Sequence, residues 1–452
     1  METTKRMVDF IVRSSYGDLP AEVIERGKGR VLDTLACMLA AVDDDAAVLI
    51  REYAGNRGGA PEASIVASAR RTSAPMAALV NGTIGHVLDF DDFQPSFGGH
   101  PSVVILPAAL AVGEKMHASG RAVLEAFLLG FEGACKIGSG VNLALYERGW
   151  HATSVIGVLG AAMATGKLLG LDATKMAYAL AIAASSASGL RGNFGTMTKP
   201  LHAGKGAEGG VAAALLAASG FTASTEILEH KNGFSRVFST RFDPVAMTGR
   251  LGDPFDIVSP GIQTKLYPSC LMTHPVIEAA RALAQAYHID PDRVDSVECR
   301  IGPLAADNLI HMRPQTGLEA KFSAPYAVAV ALLNTEISLA HFTDERVQDP
   351  RARELVEKVQ VIVDEGINAP VPPAWVTVRT KDGREWVEKG DIEGDDQVRG
   401  ITLDRIVKKY RECASLVLDE DRIGRSIEMV LGLEILDDIA RLMTTIHAVN
   451  TN

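Results

Sequence analysis

Val-Val-Ile-Leu-Pro-Ala-Ala-Leu-Ala-Val, residues 103–112, is an unbroken apolar run made mostly of small and branched side chains. Residues 155–165 and 211–218 repeat its character. None of these blocks reaches the roughly 20 apolar residues that a bilayer-spanning helix needs. Buried helices packed closely through small side chains account for them instead. Outward from this run, residues 5 to about 255 read as helix after helix, broken by Gly, Pro and Asn-Gly punctuation. Strand-like alternation is nearly absent there, so this part is expected to be all-helical.

The pattern changes after Pro254 and Pro260. Residues 294–301 alternate like a half-buried strand, as do 376–379. Asp382-Gly383, between the runs 375–380 and 385–389, is a hairpin signal. Helical patterns at 274–287, 324–333 and 344–356 alternate with these strands, and residues 403–443 return to helical spacing. The fold class expected is therefore mainly α. A large all-helical domain would comprise residues 1–258 and 403–452, with a smaller α+β lid domain over 259–402.

The chain has 452 residues, 47% hydrophobic and 22% charged, with a formal net charge of −11. That balance argues against nucleic acid or an anionic membrane as partner. Five scattered cysteines without CxxC spacing suit a reducing cytoplasm, with no disulfide framework and no structural zinc. The N-terminus leads into an amphipathic pattern rather than the apolar core of a signal peptide.

Directly before the apolar run stands Gly85-His86-Val87-Leu88-Asp89-Phe90-Asp91-Asp92, followed by His100-Pro101-Ser102. Two imidazoles and three carboxylates beside core-forming sequence are costly unless paired or used. Four other segments carry chemistry: Trp150-His151; Arg191 with Lys199-Pro200-Leu201-His202-Ala203-Gly204-Lys205; Lys265 through His274; and Lys321 through Tyr326. Five of the eleven histidines and four lysines fall in these stretches. In an acidic chain, such clustering of proton donors points to a pocket for an anion, one bearing several carboxylates. Arg191, Lys199 and Lys205 could clamp carboxylates, and histidines could exchange protons with a reacting carbon or hydroxyl.

The ordered motifs Gly-His-x-x-Asp-Phe-Asp-Asp, Gly-His-Pro-Ser, Lys-Pro-Leu-His-Ala-Gly-Lys and Lys-x-Tyr-Pro-Ser-Cys-x-x-Thr-His resemble the MmgE/PrpD family along essentially the whole chain. The resemblance implies an all-helical domain built from both chain ends, an α+β lid, and a homodimer needing neither cofactor nor metal. It implies dehydration, decarboxylation or epimerisation of a small di- or tricarboxylic acid through a carbanion-like intermediate. By motif position it carries site roles to Asp89, His100, His151, Lys199, His274 and Tyr326. The expected catalytic set is Asp89, His100, His151, Lys199 and His274, with Arg191, His202, Lys265 and Tyr326 binding substrate. His100 and His151 would move protons, Asp89 would orient or charge one of them, and Lys199 and Arg191 would hold carboxylates. His274 and Tyr326 would complete the pocket from the lid. Phe93 stands where decarboxylases and dehydratases of the family tend to have Thr, so the substrate is not carried over. The run after His100 is closer to the decarboxylase and epimerase branch than to the methylcitrate dehydratases.

Two other classes compete. A metal-dependent hydrolase would use His86, Asp89 and His100 as ligands, although no His-x-x-x-His or Glu-x-x-His spacing supports it. A non-catalytic helical scaffold sits poorly with so many ionisable groups in apolar surroundings. Taken singly, His151 reads as a hydrogen-bonded core residue, Cys270 as a small buried hydrophobe, and Asp91 and Asp92 as structural, orienting a histidine.

Overall fold

The computed structural model describes residues 2–369, 372–391 and 402–447. The chain forms two compact units: Met1–Val87 with Asp91–Thr264 and Gly400–Asn452, and Leu88–Phe90 with Lys265–Arg399. The fold is mainly α, with the smaller unit α+β. No described helix is long and apolar enough to cross a membrane.

In the larger unit the apolar run 103–112 lies inside the helix Ser102–Lys115 and is wholly buried. Its neighbours are the helices Ala74–Val87, Gly157–Leu168 and Thr198–Ala218. The core these share is built almost entirely of Ala and Val, including Ala77, Ala78, Val104, Ala108, Ala161, Ala203 and Val211. Small side chains let helix axes approach closely, and glycine sets the limit. A Cβ on Gly204 would lie 2.2 Å from the Leu79 carbonyl and 2.1 Å from Thr83 Oγ1. One on Gly210 would lie 2.4 Å from the Ala161 Cβ. The glycine-dense Thr198–Ala218 helix is thus wedged between two neighbours, and its register against them is fixed by sterics.

The helix Leu403–Ala414 packs on Ala21–Ala40 and places the Lys409 ammonium 2.8 Å from Asp33. Among the described residues of this unit the strand content is a two-residue ribbon, β1 (Ala63–Ser64) against β2 (Arg71–Thr72). The all-helical expectation missed it, because two residues are too few to show alternation.

The smaller unit carries β3 (Val294–Ile301), β4 (Val359–Val363), β5 (Ala374–Thr380) and β6 (Glu385–Gly390), ordered β4-β3-β5-β6. β3 and β4 are parallel and the remaining pairs antiparallel. The β5–β6 hairpin turns where Asp382-Gly383 indicated, with Gly383 at φ 84°. Buried Val294, Val297, Val376 and Val378 on one sheet face pack with the helices His274–Tyr287 and Ala324–Leu333. The single helical pattern over 344–356 is two helices, Asp344–Val347 and Pro350–Lys358, because Pro350 starts a new one at its first position. All five cysteines are free thiols.

Candidate active site

In the larger unit the sequence motifs converge on a row of imidazoles. His86 sits in the last turn of the Ala74–Val87 helix, next to Gly85, whose missing side chain admits Val103. The helix stops there because Asp89 adopts the left-handed conformation, φ 52°, which Asp tolerates better than most residues. The chain then turns back, and Asp91 places its carboxylate oxygens 2.9 and 3.0 Å from His86 Nδ1. His100 precedes the Ser102–Lys115 helix, and its amide donates to Thr153 Oγ1 at 3.2 Å.

His100 Nδ1 lies 2.6 Å from the Asp92 carbonyl and 3.4 Å from Asp91 Oδ2. Both neighbours are acceptors, so Nδ1 carries the proton and neutral His100 has its lone pair on Nε2. Asp92 accepts from the Ser102 hydroxyl, and burial pushes its carboxyl up to about 7 against the pull of Arg30.

Beyond His86 the row continues. Its ring centroid is 4.8 Å from that of His100 and 5.8 Å from that of His151. His151 Nδ1 is 3.1 Å from His202 Nδ1, so one ring donates and the other accepts. Burial drives His151 well below its usual pKa, and any positive charge at His86, Lys199, His202 or His100 would push the same way. His202 is pushed down to about 4, again mainly by burial, then by His86 and Lys199. Both rings are neutral near pH 7.

Lys199 is buried in the first turn of the Thr198–Ala218 helix, where the helix dipole disfavours a cation. The ring of Phe194, 5.5 Å from its Nζ, offers partial compensation. Phe194 also stands edge-on to His151 at 4.9 Å, and Phe93 edge-on to His100 at 5.9 Å. Each candidate proton-transfer ring thus has one apolar wall.

In the smaller unit, Lys265 is fully buried and donates to the Asp89 carbonyl and Oδ1, both at 2.9 Å. His274 Nε2 donates to the Tyr267 carbonyl at 3.2 Å. Burial pushes His274 down to about 3, with Lys265 adding to the effect and Asp89 opposing it. The Lys265 ammonium on Asp89 Oδ1 counts against a divalent cation at that oxygen.

His100, His151, Lys199 and His202 therefore gather in the larger unit, and Asp89, Lys265 and His274 in the smaller. Three residues do something other than expected of a carboxylate clamp or contact. The Arg191 guanidinium lies 3.9 Å from the Tyr146 ring centroid and donates to the Tyr146 carbonyl at 3.2 Å. Tyr326 donates its hydroxyl to the His341 carbonyl at 2.6 Å. Lys205 pairs with Glu208 at the surface. Sequence reasoning gave no site role to Phe194, and left His86 and Asp91 as metal-alternative or structural residues. The five-residue step from His86 to Asp91, spanning a helix end, was the available signal for the latter pair.

Comparison with known proteins identifies the family. The MmgE/PrpD N-terminal domain model matches residues 5–246 and the MmgE/PrpD C-terminal domain model residues 267–435. The human cis-aconitate decarboxylase is 29% identical over 443 residues, 95% of this chain and 91% of the relative. The mouse cis-aconitate decarboxylase is 30% identical over 81% of this chain and 77% of its own length. That of Aspergillus terreus is 28% identical over 95% of this chain and 93% of the relative. With both domain models in order and such relatives aligned almost end to end, the chain belongs to the MmgE/PrpD family.

Proposed function

We propose that this protein is a lyase that decarboxylates a small unsaturated tricarboxylic acid, with cis-aconitate as the first candidate. The observation that carries the reading is Lys199: an ammonium buried at a helix N-terminus, in a row of imidazoles that burial keeps neutral. Such a spot favours an anion through the buried charge and the positive end of the helix dipole. A substrate carboxylate there would be oriented for loss of a neighbouring carboxyl group as CO₂. The C–C bonding pair stays on the substrate carbon, delocalised into the adjacent unsaturated carboxylate, and a histidine proton then neutralises it. The His151–His202 pair suits that second step. Whichever ring accepts at Nδ1 holds its own proton on Nε2 and can donate it. The names of the relatives support the substrate, the motif resemblance supports a homodimer working without cofactor, and the scattered cysteines support a reducing cytoplasm.

One observation favours a second outcome. Neutral His100, protonated on Nδ1, offers a basic Nε2, which suits proton abstraction next to a carboxylate and hence epimerisation. Proton NMR in D₂O on cis-aconitate, 2-methylcitrate and iminodisuccinate separates the cases. CO₂ release with one deuterium in the product is expected. Deuterium exchange without loss of carbon would replace decarboxylation by isomerase chemistry, and no reaction on any acid would overturn the reading.

A further inference from the structure

Asp91 is completely buried, yet it has no part in the roles assigned so far. Its carboxylate faces two imidazoles at once, with both oxygens on His86 Nδ1 and one of them 3.4 Å from His100 Nδ1. His86, held this way, has its ring between those of His100 and His151. Around the pair in the larger unit stand Asp92 and His100 from the turn, His151, and Lys199 and His202 from the Thr198–Ala218 helix. On the Ala21–Ala40 helix, the buried Cys37 thiol feels the Asp91 charge. Asp89, with Lys265 on it, is three residues along the chain from His86.

We propose that Asp91 and His86 form a positioning pair for the reacting histidines. Asp91 fixes the His86 ring and, together with the Asp92 carbonyl, holds the His100 proton on Nδ1 so that Nε2 faces the reaction as a base. The chemistry is that of a carboxylate behind an imidazole: it selects the tautomer, sets the ring angle and stabilises the protonated ring during turnover. The pair does not touch the reacting carbon, and the inference rests on the carbon-acid reading of the site.

The test uses the full-length protein with ¹⁵N-labelled histidine. Long-range ¹H–¹⁵N spectra of the wild type should show His100 with a protonated Nδ1 and an unprotonated Nε2. Asp91→Asn, of equal size, should convert that signal into a mixture of tautomers. On the acid that the wild type turns over, Asp91→Asn and His86→Asn should each lower kcat on the order of 10²-fold, with KM changed less than about threefold and part of the loss restored by Asp91→Glu. Unchanged His100 nitrogen shifts in Asp91→Asn would overturn the proposal, as would a kcat within about threefold of wild type. If Asp91→Asn loses its cooperative melting, His86→Asn is read by the same spectra. If the wild type turns over no acid at all, the proposed function falls while the spectra still decide the role of Asp91.

Discussion

Lys265 Nζ is held at 2.9 Å by both the main-chain carbonyl and a side-chain oxygen of Asp89, a residue 176 positions away in the chain. Through this pair the three residues Leu88–Phe90 cohere with the smaller unit, although the residues on either side belong to the larger one. Both partners are buried, so removing one leaves an uncompensated charge. Asp89→Ala and Lys265→Met should each destabilise the protein by about 3–5 kcal/mol. The double variant should recover most of that loss. Urea unfolding of the four proteins closes the cycle, and additive losses would show that the pair is not coupled.

Lys199 is buried in the first turn of its helix, where a cation works against the helix dipole. If its role is to hold substrate, Lys199→Met is expected to abolish turnover with a melting temperature near that of wild type. A melting temperature well below wild type would show that Lys199 is a structural residue.

The buried histidines give stability a defined dependence on pH. His274, at about 3, and His202, at about 4, remain neutral in the folded protein, while in the unfolded chain they take up protons near 6.5. Below that value the unfolded state binds more protons, so stability falls as the pH is lowered. The loss continues through the folded values, and each ring adds a slope of about 1.4 kcal/mol per pH unit. Asp92, raised to about 7, acts in the reverse sense, because the folded state takes up its proton first. His274→Gln should flatten the acid limb between pH 6 and 4 in denaturant titrations. An unaltered slope would mean that His274 is charged in the native state.

Gly204→Ala tests the packing that sets the row. The new methyl would meet a backbone carbonyl at 2.2 Å, which cannot rotate away as a side-chain tip can. Destabilisation of at least about 1–3 kcal/mol is expected, together with loss of turnover as Lys199 and His202 shift with their helix. Circular dichroism melts and an activity assay suffice to check it.

Much of this could be read in the sequence, for reasons that differ by element. The helix His274–Tyr287, the strand β3 and the turn at Asp382-Gly383 each carry a local periodic or turn signal. The strand β4 passed unnoticed because its five residues, Val-Gln-Val-Ile-Val, continue directly from a helix and have no turn before them. At the site, residue types and motif order picked out His100, His151, Lys199 and Asp89. What each does is decided by neighbours distant in the chain: Tyr146 takes Arg191, His341 takes Tyr326, and Lys265 takes Asp89. Hydrogen-bond partners of this kind leave no periodic trace. The fork of Asp91 between two imidazoles came closest to being legible, since it needs only a helix that ends four residues before a carboxylate.

The glycine and alanine contacts that wedge the Thr198–Ala218 helix also say where this protein is free to evolve. A helix that meets its neighbours through bare backbone accepts no larger residue on those faces, so the catalytic scaffold is closed to gradual remodelling. Half-buried positions on connecting segments, Phe93 and Phe194 among them, carry no such restriction. Room for divergence toward new acids therefore lies in the walls beside His100 and His151 rather than in the packing that spaces the rings.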